Sequence, residues 1–115
     1  MTRDPDCLFC KIVAGEAGAE ITADNDRAVA FRDINPQAPT HLLVVPRDHH
    51  ADVGDLAAAD PTALGAVLRL AAQVAEADGL DAHRIVFNTG AEAGQSVFHC
   101  HAHVLGGRSL AWPPG

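Results

Sequence analysis

Three histidines at positions 99, 101 and 103 alternate with small or apolar residues near the carboxyl end of the chain. Side chains alternate between the two faces of a β-strand. A strand over Val97–Leu105 would therefore place His99, His101 and His103 on one face, about 6.6 Å from one to the next. The residues between them would share the opposite face and pack in the core: Cys100, Ala102 and Val104.

Three kinds of surface or site are consistent with neighbouring imidazoles. The first is a solvated strand face, for which Thr or Lys would serve as well as His. The second is a catalytic zinc ion held by a His-x-His pair and a third ligand. The third is nucleophilic catalysis, because neutral imidazole attacks phosphorus and the resulting phosphoramidate is labile enough to turn over.

The segment just before the histidines distinguishes between the last two. Residues 88–96 include Gly90, Gly94 and other small residues. Small residues let backbone N–H groups approach a phosphate closely, and the side chains of Asn88 and Ser96 can donate further hydrogen bonds. An anion-binding loop beside a histidine strand favours phosphorus chemistry, since a purely structural metal has little use for such a loop.

Hydrophobic patterning predicts the elements that must position these residues. The clearest is a helix over Pro61–Asp78, because Asp60 is a good N-cap, proline suits the first helical position and apolar residues recur every three or four positions. Strands around one main helix predict a single α+β domain, residues 1–115, with a largely antiparallel sheet. The other predicted elements are a short helix or turn over Cys7–Val13, a hairpin of Glu20–Ala23 and Arg27–Arg32, strands over His41–Pro46 and Arg84–Asn88, and a glycine-rich loop over Thr89–Gln95.

The composition narrows the classes of function. A length of 115 residues fits one domain, and a net charge of -7 with a single lysine argues against binding to a nucleic-acid backbone. A single nucleotide remains compatible, because local N–H groups and histidines can hold one phosphate. There is no long apolar run and no signal-peptide pattern, so we expect a cytoplasmic protein without a membrane partner. Three cysteines, an odd number, predict thiols that are free or bound to metal.

Taken together, these segments resemble the histidine triad (HIT) family. The run His99-x-His101-x-His103-Val104-Leu105 resembles the family signature, residues 31–41 resemble its nucleoside-binding segment, and residues 94–98 resemble its phosphate loop. Residues 105–108 and the terminal Trp112–Gly115 are similar to the Hint branch, the purine nucleoside phosphoramidases. The resemblance implies a HIT-like fold, a homodimer whose sheet extends across both subunits, and a purine nucleotide substrate with no organic cofactor.

The resemblance also implies a role for each matching residue. His101 becomes the nucleophile toward the α-phosphorus of a purine nucleoside 5′-phosphoramidate, such as AMP-lysine or an aminoacyl-adenylate-like compound, through a nucleotidyl-histidine. His103 would polarise a phosphate oxygen, Ser96 would lie near the leaving group, and His41 would orient a triad histidine. The implied nucleotide-binding residues are Phe31, Asp33, Ile34, Asn88, Gly94, Gln95, Ser96, Val97, His101 and His103.

Recognition of the base and of the leaving group rests on fewer residues. Phe31 and Ile34 would line the base pocket, although apolar residues at strand spacing are as often ordinary core. Ala17-Gly18 stands where many Hint-branch members have Ile-Pro, so we expect one wall of the pocket to be smaller. Trp112 would contact the leaving group in the neighbouring active site of the dimer, or alternatively would anchor the chain end by packing.

Cys7 and Cys10 form a CxxC pair. The two thiols could be unrelated, a redox pair or metal ligands. A resemblance to several bacterial HIT proteins implies a structural zinc held by both cysteines, His99 and a histidine of the 46–50 segment, with His49 fitting the family position better than His50. Two Cys and two His match a closed tetrahedral zinc site.

Other functions share some of these features. A dinucleoside polyphosphate hydrolase of the Fhit type has the triad but typically lacks the Leu-Gly-Gly-Arg and Trp-Pro-Pro-Gly segments. A nucleotide-binding regulatory protein with incidental hydrolysis would not need an intact His101 and Ser96. A plain zinc module leaves Asp33, Asn88 and Gly94 without a role.

Overall fold

The computed structural model describes residues 3–115. The strands are β1 (Ile21–Asp24), β2 (Ala28–Arg32), β3 (Thr40–Pro46), β4 (His83–Val86) and β5 (Ala102–Gly106). They form one sheet in the order β1-β2-β3-β5-β4, and each neighbouring pair is antiparallel. The helices are α1 (Leu8–Val13), α2 (Val53–Ala59) and α3 (Pro61–Ala77). The predicted α+β class with an antiparallel sheet is confirmed.

The main helix, α3, begins where the sequence predicts. The Asp60 side chain accepts a hydrogen bond from the Ala63 N–H at 3.0 Å, and Pro61 occupies the first turn. Its apolar stripe packs against one face of the sheet and consists of Ala63, Ala66, Val67, Leu70, Ala71, Val74 and Ala75.

The helix α2 was not predicted. The Asp52 side chain caps it by accepting from the Asp55 N–H at 2.9 Å, and within the helix only Leu56 is buried. A short helix with one apolar contact carries no helical periodicity, so the pattern could not reveal it. Across residues 3–115, no helix is long and apolar enough to span a bilayer.

The strand β3 divides the core in two, because it is buried on both faces. Leu42 and Val44 turn toward α3, whereas Leu43 turns toward α1 on the other face. His41 shares the α1 face by the same alternation, and the register pairs Leu43 with His103 of β5. The sheet therefore presents His41 and His103 on the face opposite to the main helix.

The predicted strand over Val97–Leu105 is wrong in its first half, because β5 begins only at Ala102. Residues 97–101 run irregularly, and the Cys100 N–H donates to the His50 carbonyl at 2.6 Å instead of joining the ladder. The first two triad histidines therefore precede the strand, and their rings need not point the same way. Core packing is nonetheless confirmed for Cys100, Ala102 and Val104.

Candidate active site and metal centre

His101 immediately precedes β5, is 7% exposed and has one ring nitrogen already engaged. Its Nδ1 lies 2.8 Å from the His99 carbonyl oxygen, so this nitrogen carries the ring proton and donates it. The free lone pair therefore resides on Nε2, the nitrogen that can act as a nucleophile. The Phe9 ring packs edge-on against His101 with the centroids 5.0 Å apart, which restricts the orientation of the imidazole.

His41 and His103 form a second ring pair. The Gln37 N–H donates to His41 Nδ1 at 3.0 Å, which places the His41 proton on Nε2. That Nε2 lies 2.9 Å from Nδ1 of His103, so His103 in turn carries its proton on Nε2. Within residues 3–115, the buried Nε2 of His103 has no hydrogen-bond partner. A chain of hydrogen bonds thus runs from the Gln37 amide through His41 to His103, whose own Nε2–H is unpaired in this part of the chain. The rings of His103 and His101 are adjacent, with their centroids 4.9 Å apart.

Burial keeps this pair of rings neutral near pH 7. Burial, followed by the nearby rings of His101 and His41, lowers the pKa of His103 to about 4. Burial also lowers the pKa of His41, against the opposing effect of Asp33, whose Oδ2 is 3.4 Å from His41 Nε2. The ligand atoms of Asp33, His41 and His103 are close enough together for a metal ion. However, the Gln37 amide occupies the His41 Nδ1 lone pair, so the proton on Nε2 blocks coordination there.

Residues 90–97, hereafter the phosphate loop, begin with a tight turn between two glycines of positive φ. Gly90 has φ +89° and Gly94 has φ +101°, a region that residues with a Cβ rarely adopt. The Gly90 carbonyl accepts from the N–H groups of residues 93 and 95, and the Ala91 carbonyl accepts from that of Gly94, so the amides of residues 93–95 are used within the turn. In the described part of the chain, the N–H groups of Ser96 and Val97 have no protein acceptor. These two amides and the exposed Ser96 hydroxyl are therefore free to donate to a ligand.

Asn88 and Gln95, two further expected nucleotide contacts, lie in different environments. The Asn88 side chain lies beside Gly94, since a Cβ placed on that glycine would be 3.7 Å from Asn88 Nδ2. Gln95 is 3% exposed, and its side-chain amide hydrogen-bonds to the main chain of Gly90, Ala51 and Val97. Asn88 is therefore half-buried beside the loop, whereas the amide of Gln95 is occupied inside the protein.

Phe31 is buried among the apolar residues that α1 packs against β2 and β3. Its ring lies edge-on to that of Phe9, with the centroids 5.5 Å apart, and Phe9 in turn contacts His101. Phe9 was not predicted to lie at the site, although its position between Cys7 and Cys10 was an available signal. Phe31 thus belongs to the core and is linked to His101 through Phe9.

The loop after β2 carries the remaining nucleoside candidates. Ile34 is 97% exposed, so its side chain is free to contact a ligand. Asp33 Oδ1 accepts from the Asn35 N–H at 2.8 Å, while Oδ2 faces His41. Val97 of the phosphate loop packs against the apolar cluster that contains Phe31. A residue expected to contact the phosphate and one expected to contact the base therefore share this cluster.

Four potential metal ligands converge beside α1. The ligand atoms of Cys7, Cys10, His49 and His99 all lie within 4.8 Å of one another, and His50 is outside this group of described residues. Cys7 Sγ is 3.5 Å and Cys10 Sγ 3.4 Å from His99 Nδ1. Cys10 Sγ is also 3.5 Å from His49 Nδ1. The tertiary structure thus selects His49 over its neighbour.

These distances and the state of His99 fit a zinc ion. Tetrahedral bonds of about 2.3 Å to sulfur and about 2.0 Å to nitrogen put ligand S and N atoms about 3.5 Å apart. His99 Nε2 donates to the Pro46 carbonyl at 2.8 Å, which leaves the Nδ1 lone pair facing the thiols. Burial lowers the pKa of His99 to about 4, so the ring is neutral, as a metal ligand must be.

The carboxyl-terminal tail lies against the edge strand β4. Arg84 Nη1 donates to the Ala111 carbonyl at 3.1 Å, and the guanidinium lies 5.9 Å from the centre of the Trp112 ring. Trp112 is nevertheless 81% exposed. An indole this exposed does not anchor the chain end by packing within one subunit.

The HIT domain family model matches residues 14–110. The purine nucleoside phosphoramidase of Escherichia coli strain K12 is 43% identical over 105 residues, which cover 90% of this chain and 88% of that protein. An uncharacterized HIT-like protein of Synechococcus elongatus is 45% identical over 111 residues, which cover 96% of this chain and 97% of that protein.

Solved structures agree with the sequence matches. The crystal structure of a HIT family hydrolase from Legionella pneumophila Philadelphia 1 has a TM-score of 0.90 and 46% identity, and the match covers 96% of this chain and 100% of that chain. A zinc-bound histidine triad family protein from Mycobacterium smegmatis has a TM-score of 0.79 and 31% identity, with 90% and 76% of the two chains covered. Sequence and fold agree, and the chain belongs to the HIT domain family.

Proposed function

We propose that this chain hydrolyses purine nucleoside 5′-phosphoramidates, with His101 as the nucleophile toward the α-phosphorus. The products are a nucleoside monophosphate and the free amine. The name of the E. coli relative, a purine nucleoside phosphoramidase, supports this substrate class. The observation that carries the proposal is the hydrogen bond from His101 Nδ1 to the His99 carbonyl, because it leaves Nε2 free to attack.

The same hydrogen bond stabilises the covalent intermediate. When Nε2 bonds to phosphorus, the imidazole becomes positively charged and keeps the proton on Nδ1. The carbonyl dipole of His99, 2.8 Å away, stabilises that charge. Because an amide carbonyl is a very weak base, it does not remove the proton, and the imidazolium remains a good leaving group for the second step.

The α-phosphate would be held between the loop and His103. Within residues 3–115, the N–H groups of Ser96 and Val97 and the Nε2–H of His103 lack acceptors. Of these donors, the buried Nε2–H of His103 costs about 1–3 kcal/mol while it has no partner. The non-bridging oxygens of a phosphate would supply the missing acceptors, and these donors would then stabilise the negative charge that develops in the transition state.

Turnover takes two displacements at phosphorus. In the first, His101 Nε2 forms a bond to the α-phosphorus while the P–N bond to the amine breaks, and the amine nitrogen takes up a proton. Ser96, expected beside the leaving group, donates a hydrogen bond to it. In the second, a water oxygen forms a bond to phosphorus while the P–Nε2 bond breaks. The water loses one proton, which restores the proton consumed in the first step.

Replacing His101 with Asn tests this mechanism with little change in packing. The Asn amide can still donate to the His99 carbonyl, but it has no atom that attacks phosphorus. We expect hydrolysis of an adenosine 5′-phosphoramidate to be abolished while AMP still binds. Mass spectrometry of the parent protein quenched during turnover should show a nucleotide adduct on His101. Parental turnover by His101→Asn, or an adduct on another residue, would refute the mechanism, and faster cleavage of a dinucleoside polyphosphate would favour the Fhit-type activity.

We also propose that Cys7, Cys10, His49 and His99 hold a structural zinc ion. The sulfur–nitrogen distances of 3.4 and 3.5 Å support this, and a closed set of four ligands leaves no position for substrate. The zinc-bound relative from M. smegmatis gives independent support. When bound, the ion adds folding stability by tying α1 to the segment that leads into the triad.

The edge strand β4 supports a homodimer. In the sheet order β1-β2-β3-β5-β4, both β1 and β4 have an outer edge without a partner strand within the described residues, and such an edge readily pairs with another strand. Of the two, β4 lies beside the tail that carries the exposed Trp112. We infer that two copies pair along β4 and that the exposed Trp112 reaches the neighbouring active site. Analytical ultracentrifugation should give twice the monomer mass of 12.0 kDa, and a monomer at micromolar concentration would contradict this assembly.

A further inference from the structure

Gln95 is almost fully buried, and main-chain groups occupy its side-chain amide. Oε1 accepts from the Gly90 N–H at 2.9 Å, and Nε2 donates to the carbonyls of Ala51 at 2.7 Å and Val97 at 3.1 Å. The backbone N–H of Gln95 is also used, because it donates to the Gly90 carbonyl at 3.1 Å. Gln95 therefore has no N–H left for a substrate, although the family resemblance places it among the nucleotide contacts.

The bond to Ala51 connects the phosphate loop to the nucleophile. Ala51 follows His50, whose carbonyl accepts from the Cys100 N–H at 2.6 Å. Cys100 directly precedes His101 in the chain. The side chain of Gln95 and the backbone of Cys100 are thus bonded to consecutive carbonyls of one segment. The phosphate loop and the nucleophile are held against a common support.

The phosphate loop lacks the regular backbone hydrogen bonds that hold a strand in a sheet, so it depends on the bonds of the Gln95 side chain. Gly90 and Gly94 restrict the backbone of the loop least, because a residue without a Cβ can adopt the largest range of φ and ψ angles. Between them lies a single 3-10 turn, and Ser96 is outside any strand. Gln95 closes the loop by bonding the Gly90 N–H at one end and the Val97 carbonyl at the other. Amides that bind an anion must be held within about 0.5 Å of their working positions.

We propose that Gln95 is a positioning residue that sets the distance between the amides of residues 96–97 and Nε2 of His101. This inference rests on the proposed function, in which these amides hold the α-phosphate. It predicts a selective defect. Loss of the Gln95 side chain weakens the grip on the phosphate, whereas the nucleoside portion, assigned to Asp33 and the exposed Ile34, binds as before.

Two uncharged substitutions test the proposal without adding a charge near the phosphate. Gln95→Met keeps the length of the side chain and removes all three of its hydrogen bonds. Gln95→Asn keeps an amide that is too short to span from Gly90 to Ala51, and it serves if the Met variant does not fold. Gln73→Met, at an exposed position of α3, is the matched control.

Isothermal titration calorimetry with AMP and with adenosine separates the possible outcomes. If the parent protein binds AMP no more tightly than adenosine, the phosphate site of the proposed function itself is refuted. Given a preference for AMP, we expect each Gln95 variant to lose about tenfold or more in AMP affinity and in kcat, while adenosine affinity changes by less than about twofold and the Gln73 control matches the parent. Equal losses for both ligands, or an unchanged affinity for AMP, would overturn the positioning role.

Discussion

The two hydrogen bonds of the His41 ring can be removed one at a time by two different substitutions. His41 Nδ1 accepts from the Gln37 N–H, and His41 Nε2–H is accepted by His103. The amide of an Asn side chain lies near the position of Nδ1, and that of a Gln side chain reaches the position of Nε2. His41→Asn should therefore keep the contact with Gln37 and lose the contact with His103, whereas His41→Gln should do the reverse.

The two variants should share a loss of stability and differ in activity. His41 is 6% exposed, so bulk water does not replace a partner that is removed there. Each variant loses one hydrogen bond, which should lower the free energy of unfolding by about 1–2 kcal/mol. Only His41→Asn frees His103 to move its proton to Nδ1, which removes the Nε2–H that we assign to a phosphate oxygen. Losing the partner that fixes the tautomer of a metal-bound histidine lowers activity by about 10- to 100-fold, and we expect a loss of the same order here.

Urea denaturation and phosphoramidate hydrolysis, measured on the same preparations, test this directly. We expect two similarly destabilised proteins, with His41→Gln within about threefold of the parental kcat and His41→Asn about 10- to 100-fold below it. Nitrogen-15 NMR of the His103 ring should report the change of tautomer in the Asn variant alone. Equal activities of the two variants would mean that His41 does not set the tautomer of His103, and the reasoning would fail.

Three further predictions concern the pH dependence of stability, the metal site and the carboxyl-terminal tail. The pKa of His103, lowered to about 4 from 6.5, means that the folded state binds fewer protons than the unfolded state between these values. The free energy of unfolding should therefore fall by about 2 kcal/mol from pH 7 to pH 4.5 because of this group, and denaturation of a His103→Gln variant should lack that share of the decrease. Cys10→Ala should lose stoichiometric zinc and unfold at a lower temperature, whereas Cys100→Ala, whose thiol lies in the core, should retain the metal in elemental analysis. Deletion of Trp112–Gly115 should change the relative rates for different amine leaving groups but not for adenosine against guanosine, and an unchanged amine profile would contradict a role for the tail.

Local signals predicted much of the scaffold. Asp60 and Pro61 defined the start of α3, and its apolar spacing defined the face that packs on the sheet, because helix caps and periodicity act between residues close in sequence. The same signals failed for the segment that leads into β5. Alternation continues through His99, yet a sulfur 92 residues away and the Pro46 carbonyl hold that ring outside the sheet. No local pattern encodes such distant partners.

For the candidate site, the sequence by itself determined the chemical inventory: three imidazoles at alternate positions, glycines that permit a tight anion-binding turn, and a pair of thiols. The tertiary structure decided how these groups are used. It places His49, and not His50, beside the two thiols. It pairs His41 with His103 and packs Phe9 against His101. It also fixed which nitrogen of each ring carries the proton, because that choice depends on whether a carbonyl or an N–H group faces the ring.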